Sequence, residues 1–130
     1  MQQRKGIATV EFAVLLPVFV LLTLGMLEVS RYLHTFQRAT QGAREGARFA
    51  AGTDEGPEVV KEKVQETFWG KEYSDIPASD REKVGIEVSI PEMAGGATVV
   101  KVYCNYEDFS PFPPFYAKTL ETQSVFRREP

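Results

Sequence analysis

Along this chain the hydrophobic positions are first continuous, then helical in period, then alternating. Residues 7–27 form an apolar run broken by one ionisable group, Glu11. An α-helix rises about 1.5 Å per residue, so such a run spans a hydrocarbon core of roughly 30 Å. No other stretch of the sequence does so. Past Leu27 the run becomes a stripe. Leu33, Phe36, Ala43, Ala47 and Ala50 keep one apolar side through the polar residues 28–48. No Pro or paired Gly stops the helix before Gly52 and Gly56. One helix from Ile7 to about Ala51 is predicted, about 65 Å long. Pro17 removes a backbone donor inside it and clashes with the carbonyl of Ala13, which predicts a bend.

The pattern then changes. Residues 53–57, Thr-Asp-Glu-Gly-Pro, read as a turn, with Thr53 or Asp54 as the cap of a second helix. Val60, Val64 and Phe68 recur at four-residue spacing, so residues 58–69 are predicted to be a short amphipathic helix. Residues 70–80, with Pro77, read as a loop. Residues 84–90 alternate apolar and polar, the period of a half-buried strand. Residues 91–96 turn the chain at a Gly-Gly pair. Residues 98–106 alternate again, with Val100, Val102, Cys104 and Tyr106 on one face. Pro111, Pro113 and Pro114 exclude a central strand, so residues 108–116 are a long connection. Residues 118–127 give a third strand. The predicted class is α+β: a long N-terminal membrane-spanning helix continues as a spine. A short helix and a three-stranded antiparallel sheet pack on it.

Small residues mark the spine beyond the apolar run. Ala39, Ala43 and Ala47 recur every four residues, with Gly42 and Gly46 beside them. Such a stripe admits another backbone at close range. Two occupants fit it: the helix of a neighbouring molecule, or the chain's own outer domain. Arg44 and Arg48, one turn apart, read as a solvated face, as do Glu28 and Arg31 three residues apart.

Composition removes several function classes. The chain has 130 residues and a net charge of −3, with no basic footprint for nucleic acid. One Cys, Cys104, allows no internal disulfide. His34 is the only His, so neither a zinc site nor a Ser-His-Asp triad is assembled around it. Gly42-Ala43-Arg44-Glu45-Gly46 lacks the Lys-Ser/Thr end of a phosphate loop. No enzyme activity, cofactor, metal or small-molecule substrate is expected. Phe109, Phe112, Phe115 and Tyr116 either cap the sheet's open end or form a patch for a partner. The N-terminus has the basic start of a secretory signal, but its apolar run is too long and no Ala-x-Ala site closes it.

Glu11 is the acid that needs a reason. A carboxylate at the bilayer centre costs roughly 2.5–3.5 kcal/mol on insertion scales, and less near an interface. It is either a tolerated interfacial acid or one half of a pair. Arg4 and Lys5 precede Gly6, and a cut between Gly6 and Ile7 would give Ile7 a free α-amino group. Glu11 then sits one helical turn from that ammonium, so both charges have a partner in a dry slab. Loss of residues 1–6 removes two positive charges and leaves a net charge of −5.

Basic residues, Gly6, a hydrophobic Ile7 and Glu11 at the fifth position after the cut resemble the prepilin peptidase site of type IV pilins. Three blocks narrow the resemblance: residues 6–17 (GIATVEFAVLLP), 27–31 (LEVSR) and 39–51 (ATQGAREGARFAA). Together they are similar to the TadE-like family, small pilin-like proteins of tight-adherence (Flp) pilus systems. The resemblance covers about residues 4–51; the rest matches only as a strand pattern with a terminal Arg-Arg-Glu. It implies a leader at 1–6, a transmembrane helix at 7–27, its extramembrane continuation at 28–52 and a small outer domain at 53–130. It implies a minor pilin or pseudopilin, cleaved by a prepilin peptidase, that assists assembly of such a pilus or a related secretion apparatus. Its partners would be the membrane, the peptidase, other pilin-like subunits and the assembly platform. Glu11 would act in subunit assembly, and Ala39, Gly42, Ala43, Gly46 and Ala47 in helix packing. The chain would sit in a bacterial cytoplasmic membrane, N-terminus inside and outer domain outside, and could enter the fibre. Arginines on both sides of the apolar run leave the orientation to the resemblance alone. The rival is an uncleaved single-pass anchor presenting a periplasmic or extracellular binding module.

Overall fold

The computed structural model describes residues 3–90, 96–109 and 119–127, with side chains from Ala8 onward. The chain divides into two compact units, Met1–Leu33 and His34–Pro130. Helix α1, Gln3–Gly52, supplies the whole described part of the first unit and the first element of the second. It runs through Pro17 without interruption. Thr53 Oγ1 donates to the Phe49 carbonyl at 2.9 Å where α1 ends.

Helix α2 is Pro57–Trp69. Its N-cap is Gly56 in an extended conformation, with Pro57 at the first helical position and no side-chain cap bond. The cap expected from Thr53 or Asp54 is therefore replaced by proline's preset φ. Gly70 ends the helix in the left-handed region at φ 66°, donating its N–H to Glu66 O at 2.7 Å. That conformation favours glycine, because a Cβ would strain it.

The stretch 70–80 is more ordered than the loop read from the sequence. A 3-10 turn at Tyr73–Asp75 is followed by one helical turn, α3, at Ala78–Arg81. Arg81 holds both. Its Nε donates to Ile76 O at 2.8 Å, one terminal nitrogen donates to Tyr73 O at 3.0 Å, and the guanidinium stacks 4.1 Å from the Tyr73 ring centre. Gln65 on α2 ties this segment to the sheet. Its Nε2 donates to Arg81 O at 3.1 Å and Val84 O at 3.3 Å, and its Oε1 accepts from Trp69 Nε1 at 3.1 Å.

Strands β1 (Val84–Ser89), β2 (Ala97–Asn105) and β3 (Thr119–Arg127) form an antiparallel sheet in the order β1-β2-β3. The register pairs Val84 with Cys104 and Cys104 with Leu120, and Ile86 with Val102 and Val102 with Thr122. Period two then puts Thr98, Val100, Val102 and Cys104 on one face, and all four are buried. Tyr106, in a 3-10 turn that follows β2, is buried too. On the opposite face the Tyr103 ring lies over Gly85, its cross-strand partner, in the space a side chain would fill. Of the expected turn at 91–96, residues 91–95 lie outside the described residues. So do residues 110–116 of the expected 108–116 connection, with Phe112, Phe115 and Tyr116, residue 118 at the expected start of the third strand, and the Arg-Glu-Pro end at 128–130.

Val60, Val64 and Phe68 of α2, Val100 and Val102 of β2 and Leu120 of β3 make the core with Ala39, Ala43, Ala47 and Ala50 of α1. Burying a Val or Phe contributes roughly 1.5–3 kcal/mol each. Thr40 Oγ1 of α1 lies 3.4 Å from Thr122 Oγ1 of β3, a hydroxyl pair at the margin of that core.

Candidate functional site: the N-terminal helix

Two stretches of α1 carry the candidate residues, and they differ in what covers them. In the first unit nothing is buried along the apolar window, whose mean hydropathy is 2.4. Val10, Phe12, Phe19, Leu21 and Met26 are all exposed. A globular helix does not leave side chains of this size in water, since each would gain by leaving it. The helix is long and apolar enough to cross a membrane. Thr23 adds no polar demand, because its Oγ1 donates to the Phe19 carbonyl at 2.8 Å. The Gly6–Ile7 peptide lies within α1. Glu11 is exposed among these apolar neighbours, one turn along the helix from Ile7.

In the second unit the small-residue stripe is covered by other elements of the same chain. A Cβ at Gly42 would lie 3.3 Å from Val64 Cγ1 and 3.3 Å from Val64 O. A Cβ at Gly46 would overlap Val64 Cγ2 and stand 3.6 Å from Val100 Cγ1 and 3.7 Å from Val60 Cγ1. Ala39, Ala43 and Ala47 are fully buried beside them. So α2 and β2 occupy this face. Of the two occupants open to the sequence, the chain's own C-terminal elements are the one seen.

The outward side of α1 carries Arg44 and Arg48, both exposed, and Arg48 pairs with Glu45 at 2.8 Å. Glu28, read from the sequence as solvated, is only 6% exposed. Phe109 stacks on Trp69 at 5.8 Å and tilts against Phe68 at 5.9 Å, so this member of the aromatic group packs against α2. Cys104 is buried and unpaired, and burial with the nearby Asp108 charge raises its thiol pKa from 9.0 to about 11. A thiol held in that form is a poor nucleophile. Among the described residues no group of three or more His, Cys, Asp or Glu is placed to hold a metal ion. Sequence reading passed over Gln65; its signal was a polar residue next to the buried Val64, four residues before a Trp.

These features support a class: a single-pass membrane protein with a helix-backed antiparallel sheet following its N-terminal helix. The family model for TadE-like protein matches residues 6–48, roughly a third of the chain. That match starts at Gly6 and takes in Glu11, the apolar window and the small-residue stripe through Ala47. No curated protein and no solved structure matches the chain.

Proposed function

We propose that this chain is a minor pilin or pseudopilin of a tight-adherence pilus or related secretion apparatus. A prepilin peptidase processes it between Gly6 and Ile7, and it works through its N-terminal helix. The observation that carries this is the position of the family match. It begins at the glycine of the proposed cut and covers a helix whose large apolar side chains are exposed among the described residues. In this reading the leader holds the N-terminus in the cytoplasm, the helix sits in the cytoplasmic membrane, and the outer domain faces away from the cytoplasm. After cleavage the Ile7 ammonium and the Glu11 carboxylate pair between neighbouring subunits. Each charge alone is strongly disfavoured in lipid, so the pair selects the axial register in which subunits associate.

The mass of the membrane-extracted protein tests the processing step. The processed chain begins at Ile7. Gly6→Leu puts a bulky side chain at the scissile bond and leaves residues 1–6 attached. A wild-type chain that retains its first six residues identifies the uncleaved anchor instead. So does a Gly6→Leu chain with the shortened mass.

A further inference from the structure

We propose that copies of this chain associate side by side, the outward face of α1 on one copy meeting the outward face of α2 on the next. The two faces are complementary in charge and matched in spacing. On α1, Gln37, Gln41, Arg44 and Arg48 are exposed on the side away from the buried Ala39, Ala43 and Ala47. On α2, Glu58, Val59 and Glu62 are exposed on the side away from the buried Val60, Val64 and Phe68. Arg44 and Arg48 are one turn apart, as are Glu58 and Glu62, about 6 Å along either helix. Arg44 and Glu62 have no ion-pair partner among the described residues. Among the described residues Glu58 pairs with Lys61 at 2.9 Å and Arg48 with Glu45 at 2.8 Å, exposed contacts of little worth in water.

These faces cannot meet within one copy. The inner side of α2 is seated on the inner side of α1 through Gly42 and Gly46, so the basic and acidic faces look in opposite directions. A surface whose complement lies on the far side of the same molecule makes a heterologous contact, which repeats from copy to copy. The interface rests on the single-pass reading, because one membrane helix per copy holds neighbours the same way up. It does not require the cut at Gly6. Val59 and Gln41 would lie within the contact, where neither opposes the charges.

The test is oxidative cross-linking of the full chain in membranes. Gln41→Cys and Val59→Cys are introduced together and singly; the native Cys104, 2% exposed, serves as the background. The paired variant gives a ladder of dimers, trimers and larger species, and each single variant stays monomeric. Adding Arg44→Glu and Arg48→Glu weakens the ladder at least tenfold, and further adding Glu58→Arg and Glu62→Arg restores it. A paired variant that stays monomeric overturns the interface. So do a dimer from Gln41→Cys alone, a ladder indifferent to charge reversal, and a reversal that the swap does not rescue. Alkaline extraction of the same membranes separates the readings. A chain retained in the membrane without a ladder overturns the interface alone; a chain released overturns the anchoring.

Discussion

Gly46 of α1 and Val64 of α2 share one space: the Val64 Cγ2 methyl occupies the position where a Cβ on Gly46 would sit. Helix α2 is fastened to α1 at this point. Gly46→Ala improves helix propensity by roughly 1 kcal/mol, and overpacking a core costs about 1–3 kcal/mol. With Val60 and Val100 closing the other sides, overpacking wins, and the melting temperature of the second unit falls. Val64→Ala in the same chain relieves the overlap, so the double variant is more stable than the two single losses added together. Gly25→Ala, where nothing lies within 4 Å, leaves the second unit's melting unchanged.

Gln65 bridges α2, the end of α3 and the start of β1 with three hydrogen bonds. Gln65→Leu keeps the volume and leaves the Arg81 and Val84 carbonyls and the Trp69 indole N–H without this partner. The Val84 contact is buried and the other two are part-buried, so the variant loses about 1–3 kcal/mol in denaturant unfolding, most of it from the buried contact. Faster amide exchange in residues 73–84 accompanies the loss, because those residues are tied to α2 through this side chain. Unchanged exchange there contradicts the bridging role.

Thr98 sits fully buried on the inner face of β2, its Oγ1 without a hydrogen-bond partner among the described residues. Thr98→Val keeps the shape and the β-branching and removes the unmet hydroxyl. A gain of about 1–2 kcal/mol in unfolding free energy is expected. A destabilised variant contradicts the burial of a bare hydroxyl.

The Cys104 thiol titrates near 11 in the fold instead of 9.0, because burial disfavours the thiolate and Asp108 adds like charge. Its folded pKa is raised, so the folded state binds this proton more tightly than the unfolded chain. The resulting stability is fully present below pH 9 and is lost as pH rises through about 11. Thiolate absorbance of the folded chain should reach its midpoint near pH 11, and that of the denatured chain near 9. Coincident midpoints contradict the burial of this thiol.

Local pattern made part of this fold legible in the sequence. Period two across 84–90 and 98–106 placed Val100, Val102 and Cys104 on the buried face, and the antiparallel register confirms that side. The apolar run and its polar continuation read as one helix, and α1 is one helix. The stripe from Ala39 to Ala47 announced a close approach without naming the approaching backbone. A missing side chain records how near a neighbour comes, not which neighbour it is. The segment 70–80 read as loop because its order comes from Arg81 reaching back to Ile76 and Tyr73, contacts that no periodicity carries. Glu28 read as solvated from its charge alone, whereas the fold leaves it 6% exposed.

Association in the membrane is the most direct test of Glu11 as an assembly residue. Glu11→Ala removes the one ionisable group within the apolar run and leaves the Ile7 ammonium of a processed neighbour without its carboxylate, at a cost of about 3–5 kcal/mol per contact. Insertion survives, because the helix becomes more apolar. Cleavage survives, because Gly6 and Ile7 are intact. The measurement is co-purification of the processed chain with the other pilin-like proteins of its system, with Glu11→Gln as the milder variant. Loss of co-purification in Glu11→Ala, with insertion and mature mass unchanged, is the expected result. A Glu11→Ala chain that inserts, is cleaved and associates like the parent contradicts the pairing and leaves Glu11 a tolerated interfacial acid.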